Sequence, residues 1–79
     1  MEKLTLYTFK LLPDQEQYDL VFTKGDFITT REEGNSRFAL YALEKFFVEV
    51  EYDVQNNKIV NKVSFISGEK LNVYNNLKF

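Results

Sequence analysis

The chain contains no histidine, no cysteine and no tryptophan. Without histidine there is no imidazole base, no Ser-His-Asp triad and no histidine metal ligand. Without cysteine there is no disulfide and no thiolate chemistry, and zinc and other soft-ligand sites lose their usual donors. Glycine stands only at positions 25, 34 and 68, and none of them belongs to a phosphate-cradling loop. No stretch approaches the roughly 20 apolar residues of a membrane span. The start, MEKLTLYTFKLLP, lacks a basic region followed by an apolar run. With no cysteine to oxidise, we read the chain as cytoplasmic. Twelve acids against 10 bases give a net charge of −2. That is no basic footprint for nucleic acid, and it is too mild for an acidic tail.

The 79 residues allow one domain, 1–79, with no room for a second. A chain this short buries only roughly 60–65% of its unfolded surface. Eight phenylalanines and five tyrosines compensate, because large rings bury much area per residue. No repeat, linker or low-complexity stretch interrupts the chain.

Residues 46–66, FFVEVEYDVQNNKIVNKVSFI, read as one β-hairpin. Side chains alternate between faces along a strand. Phe46, Val48, Val50, Tyr52 and Val54 then share one face, and Phe47, Glu49, Glu51 and Asp53 the other. In the second arm Ile59, Val63 and Phe65 face one way, Lys58, Val60, Lys62 and Ser64 the other. Asn56 and Asn57 tolerate a tight turn. A two-residue loop pairs Val48 with Phe65 and Glu51 with Lys62. A four-residue loop, 54–57, pairs Val48 with Val63 and Glu49 with Lys62. Both registers keep apolar beside apolar. A pairing of Val48 with Ser64 breaks the pattern and is not expected.

Upstream, residues 3–12 carry strand-favouring residues, yet Thr5 equally suits a helix cap. Asp14 to Gln17 resembles a capping box after Pro13. Tyr18, Val21 and Phe22 follow at helical spacing, and Gly25 stands where the helix would end. This predicts a helix over 14–24; the competing reading is a hairpin turning at Lys24-Gly25. Strands are expected over 27–33 and 37–43, joined at 34–36, with Glu33 paired to Arg37. Leu71, Tyr74 and Leu77 fit a short C-terminal helix. The expected fold class is α+β: a four-stranded antiparallel meander over about 27–66, covered by the 14–24 helix and the C-terminal helix. A small all-β barrel or sheet is the alternative.

LLPDQEQ (11–17), the Gly25/Phe27 pair, Arg31, LY (40–41), FFVEVEY (46–52), NKI (57–59), Phe65 and Leu71 with Tyr74 form a pattern along almost the whole chain. It resembles a loose set of small Bacteroidota-type bacterial proteins. The resemblance implies the helix reading of 14–24. It implies no activity, ligand or site.

The sharpest chemical feature is the Glu49, Glu51 and Asp53 stripe. Carboxylates two apart on a strand lie roughly 6.8 Å apart along it. Such a stripe can hold a hard cation or supply an acid and a base. The plainer reading, which we adopt, is a solvated face whose acids pair with Lys58 and Lys62. No metal or cofactor is therefore expected. Phe47 shares that face, and with Phe38 and Leu40 it forms an apolar patch rimmed by Glu49 and Glu51. Such patches mark partner surfaces, unless the segment Leu71–Phe79 covers this one. Tyr41, Tyr52 and Phe46 evoke base-stacking platforms, but the neighbouring acids oppose phosphate. The expected function is a non-enzymatic protein-interaction domain, binding a protein partner or its own copy. The alternative is a small-molecule or hard-metal binder on the 49/51/53 stripe.

Overall fold

The computed structural model describes residues 4–66. Six elements follow in order: α1 (Leu6–Lys10), α2 (Asp14–Lys24), β1 (Asp26–Glu33), β2 (Ser36–Ala42), β3 (Phe47–Asp53) and β4 (Lys58–Phe65). The strands form one open antiparallel sheet in the order β1-β2-β3-β4, not closed into a barrel. With the two helices this is an α+β fold. The expected C-terminal helix lies outside the described residues.

The N-terminal ambiguity resolves as helix. Thr5 caps α1, accepting from the Thr8 N–H at 3.2 Å, while Thr8 Oγ1 accepts from the Thr5 N–H at 3.0 Å. This reciprocal pair satisfies two donors that a helix start leaves open. The capping box expected at Asp14 to Gln17 does not form. Pro13 is the N-cap of α2 and contributes no side-chain bond. Asp14 sits inside the first turn, where its charge favours the positive end of the helix dipole. Gln17 instead donates to the Leu12 carbonyl at 2.7 Å, tying α2 to the connection behind it.

Phe9 from α1 and Val21 from α2 are fully buried with Phe46, Val48 and Val50. The Phe9 and Phe46 rings meet at 5.0 Å between centroids. The helices thus cover one face of the sheet, chiefly along β3. Gly25 closes α2, and a Cβ there would stand 2.5 Å from the Val21 carbonyl oxygen and 3.4 Å from Tyr41 Cβ. Glycine at this point lets the chain turn into β1 hard against the sheet.

The β3–β4 register begins as the four-residue-loop reading has it, at Asp53–Lys58 and Tyr52–Ile59, and then departs from both expected pairings. Asp53 faces Lys58 across a four-residue loop, with Asn57 at φ 54°. A shift between Glu51 and Tyr52 then leaves Val60 without a cross-strand mate. From there Glu51 faces Asn61, Val50 faces Lys62, Glu49 faces Val63 and Val48 faces Ser64. One extra residue in a strand inverts the faces beyond it. Val63 and Phe65 therefore do not join Val48 and Val50; they share the opposite face with Glu49 and Phe47. Lys62 falls on the helix side and pairs with Asp14, not with Glu49 or Glu51. Around the β1–β2 turn, Arg37 pairs with Glu32 at 2.7 Å, and Glu33 pairs with Arg31. The expected Glu33–Arg37 pair is not made.

Candidate interaction surface

Phe38, Leu40, Phe47, Glu49 and Glu51 come together on the sheet face opposite the helices, as the β2–β3 register requires. Leu40 is 0% exposed and Glu49 2% exposed. Phe38, Phe47 and Glu51 are half-buried. The acids are engaged locally. Arg31 brings Nη2 to 3.5 Å from Glu49 Oε2 and stacks its guanidinium 4.1 Å above the Phe38 ring. Ser36 Oγ donates to Glu51 at 2.8 Å, and Asn35 Nδ2 to Asp53 at 2.7 Å. The Phe47 and Phe65 rings stack at 5.6 Å. Among the described residues no group of three or more acids is arranged to hold a metal ion. The solvated stripe expected from the sequence is corrected at Glu49, which is buried, with Leu40 and Val63 opposite it on the two ladders and the Arg31 guanidinium beside it.

The accessible surface lies on the other face, on the part of the sheet the helices leave open. Cross-strand pairing builds it in rows. Phe27 faces Tyr41, Thr30 faces Ala39, and Glu32 faces Arg37, which in turn faces Tyr52. Ala39 is the small residue in this grid, with Tyr41 two positions on and Tyr52 on the next row. Its missing bulk leaves a hollow of about 350 Å³, lined by Phe27, Thr30, Arg37, Ala39, Tyr41, Tyr52, Asp53, Val54 and Asn57. Phe27, at one end of the hollow, is 58% exposed, and Val54, at the turn end, 48%.

The walls are fixed. Phe27 meets Tyr41 edge to face at 5.7 Å, Tyr41 meets Phe22 of α2 at 5.7 Å, and Phe22 stacks on Tyr18 at 6.2 Å. This ring ladder anchors the hollow to α2. The Tyr41 phenol is pushed above its ordinary value, first by burial and then by the charge and hydrogen bond of the Tyr52 phenol. At the turn end, the Val54 N–H donates to the Asn35 carbonyl at 3.0 Å and ties the two hairpin turns together. Asp53 accepts from the Asn56 side chain at 2.6 Å and its N–H at 3.2 Å. Those bonds, the side-chain one foremost, hold its carboxyl below the ordinary aspartate value.

Tyr41 and Tyr52 were legible as sheet aromatics, but Phe46 belongs to the core and not to their platform. Phe27, Ala39 and Arg37 carried no sequence signal of their own. Only the β2–β3 register brings a small residue between two tyrosines. No protein-family model, curated protein or solved structure matches the chain. No helix among the described residues is long and apolar enough to cross a membrane.

Proposed function

We propose that the protein is a non-enzymatic interaction domain that binds another polypeptide, and that the hollow over Ala39 is its contact surface. One observation carries this reading: rigid, partly exposed rings of Phe27, Tyr41 and Tyr52 surround a concave floor on the part of the helix-side sheet face that α1 and α2 leave open. Tyrosine and arginine dominate the energetics of protein contacts, because a stiff ring buries area at little entropic cost. The patch first suggested by Phe38, Leu40 and Phe47 is the weaker candidate, since Leu40 and Glu49 have no area left to offer. We place the domain in the cytoplasm on the compositional grounds given above.

Selection of a displayed random-peptide library on the purified protein tests the reading. Peptides sharing a motif should be enriched, and should lose binding to Phe27→Ser and Tyr52→Ala. No enrichment, or peptides indifferent to both variants, overturns it.

A further inference from the structure

The hollow lies over β1, β2 and β3, away from the outer edge of β4. β1 is the other outer strand, but a ligand seated over Ala39 of β2 packs across the face of the sheet and not along the edge of β1. The space is at the small end of ligand sites and open along one side, which suits a few side chains of an extended segment better than an enclosed small molecule. Its walls are flat rings, and two of them carry hydroxyls. A polyproline II segment has complementary chemistry: its prolines pack on aromatic faces, and its carbonyls, unused within the helix, accept from phenols.

Charge narrows the class further. Arg37 is neutralised by Glu32, with Nε and Nη2 at 3.0 and 2.7 Å from the same carboxylate oxygen. Asp53, at the same end, is held by the neutral donors of Asn35 and Asn56. No lysine or arginine among the described residues forms an ion pair with it. At this end of the hollow the Asp53 carboxylate therefore stays outside any ion pair among the described residues, with Lys58 opposite it across the β3–β4 ladder.

Resting on the reading of the hollow as a polypeptide contact, we propose that its occupant is a proline-rich extended segment bearing a lysine or arginine. The prolines seat over Ala39 between the Phe27/Tyr41 wall and Tyr52, and the cation meets Asp53.

Amide chemical shifts of the isotope-labelled protein, titrated with a short blocked oligoproline ending in arginine, test this. Saturable shifts should centre on Phe27, Thr30, Ala39, Tyr41 and Tyr52. Replacing the arginine by glutamine should weaken binding about two- to fivefold, as an exposed ion pair contributes. The shifts should vanish in Phe27→Ser, whose side chain is exposed enough to leave the fold intact by circular dichroism. Tyr52→Phe should keep the seat and weaken it. The inference falls if a glycine-serine peptide ending in arginine gives the same shifts. It falls equally if a proline-free tyrosine peptide fills the hollow and oligoproline does not; the polypeptide-contact reading then stands. If neither peptide moves these amides the inference is overturned, and library selection still decides the reading beneath it.

Discussion

Lys62, on the last described strand, places its Nζ 2.9 Å from Asp14 Oδ1 in the first turn of α2. It thereby joins the two ends of the helix–sheet layer, and the ammonium also stands 4.8 Å over the Tyr18 ring. The lysine side chain is only 14% exposed, the aspartate 83%. A lysine on the core side of a sheet keeps its stem packed and carries its charge out to the rim. The pair itself is screened by water at its aspartate end, so its contribution is well under about 1 kcal/mol.

Truncation and neutralisation at Lys62 should therefore differ. Lys62→Met keeps most of the packed stem and is expected to cost less than about 1 kcal/mol, with the loss smaller still at high salt. Lys62→Ala removes the stem against Tyr18 and should cost more. Urea unfolding of both variants measures this. Equal costs would mean that the charge, and not the packing, is what Lys62 contributes.

The β3–β4 register yields a sharper comparison. Val48 is fully buried opposite Ser64, whereas Val63 is 38% exposed opposite Glu49. Val48→Thr buries a hydroxyl in an apolar cluster and should cost about 1–3 kcal/mol. Val63→Thr, of identical shape change, should cost about 0.5 kcal/mol or less. Val50→Asp, at a fully buried site, is expected to unfold the domain. Comparable losses at Val48 and Val63 would place the two side chains on one face and contradict the bulge at Val60.

Much of the architecture was written in local pattern. Pro13, the Tyr18/Val21/Phe22 spacing and Gly25 marked α2 at both ends, and turn residues bracketed each strand to within about one residue. The bulge was not legible. KIVNKVSF reads acceptably in either phase, because Ile59 and Val60 are both apolar and one of them can be skipped at no cost to the pattern. Everything downstream of that choice inverted: the side taken by Val63 and Phe65, the partner of Lys62, and the burial of Glu49, whose alternation with Glu51 and Asp53 looks solvated. The hollow was hidden for a related reason. Both faces of 37–43 carry apolar groups, so the sequence did not say that Ala39 would lie between two tyrosines. Cross-strand neighbours are set by register, and register is a non-local property.

Two glycines test two different constraints. A Cβ at Gly25 would collide with the Val21 carbonyl oxygen, the same atom that accepts the Gly25 N–H at 3.0 Å. Gly25→Ala should cost about 1–3 kcal/mol by forcing open the last turn of α2 at the Val21 carbonyl. Gly34 has open space around it but a φ of +61°. Gly34→Ala should cost about 1 kcal/mol from backbone strain alone, and Gly34→Asn less, since asparagine tolerates that region. Thermal melts of the three variants decide. A Gly25→Ala protein as stable as the parent would show that the chain does not leave α2 so close to the Val21 carbonyl.

Acid and alkali should act on opposite ends of the hollow. Asp53 sits below its ordinary value of 3.8, so its contribution is fully present above that pH and is lost as pH falls through the depressed value. Asn56→Ala removes the first cause of the shift and should raise the Asp53 titration, followed by carboxyl carbon shifts. Tyr41 sits above 10.0, so its contribution is intact below that pH and is lost as pH rises through the raised value. Tyr52→Phe keeps a ring on the wall but takes away the neighbouring phenol. The Tyr41 titration, followed by its ring-carbon shift, should then move only part of the way back, because burial is the larger cause and remains. A Tyr41 phenol that titrates at or below 10.0 in the folded parent would mean that its hydroxyl faces water, and the wall between Phe27 and Tyr52 would not be the closed surface on which a ligand is expected to pack.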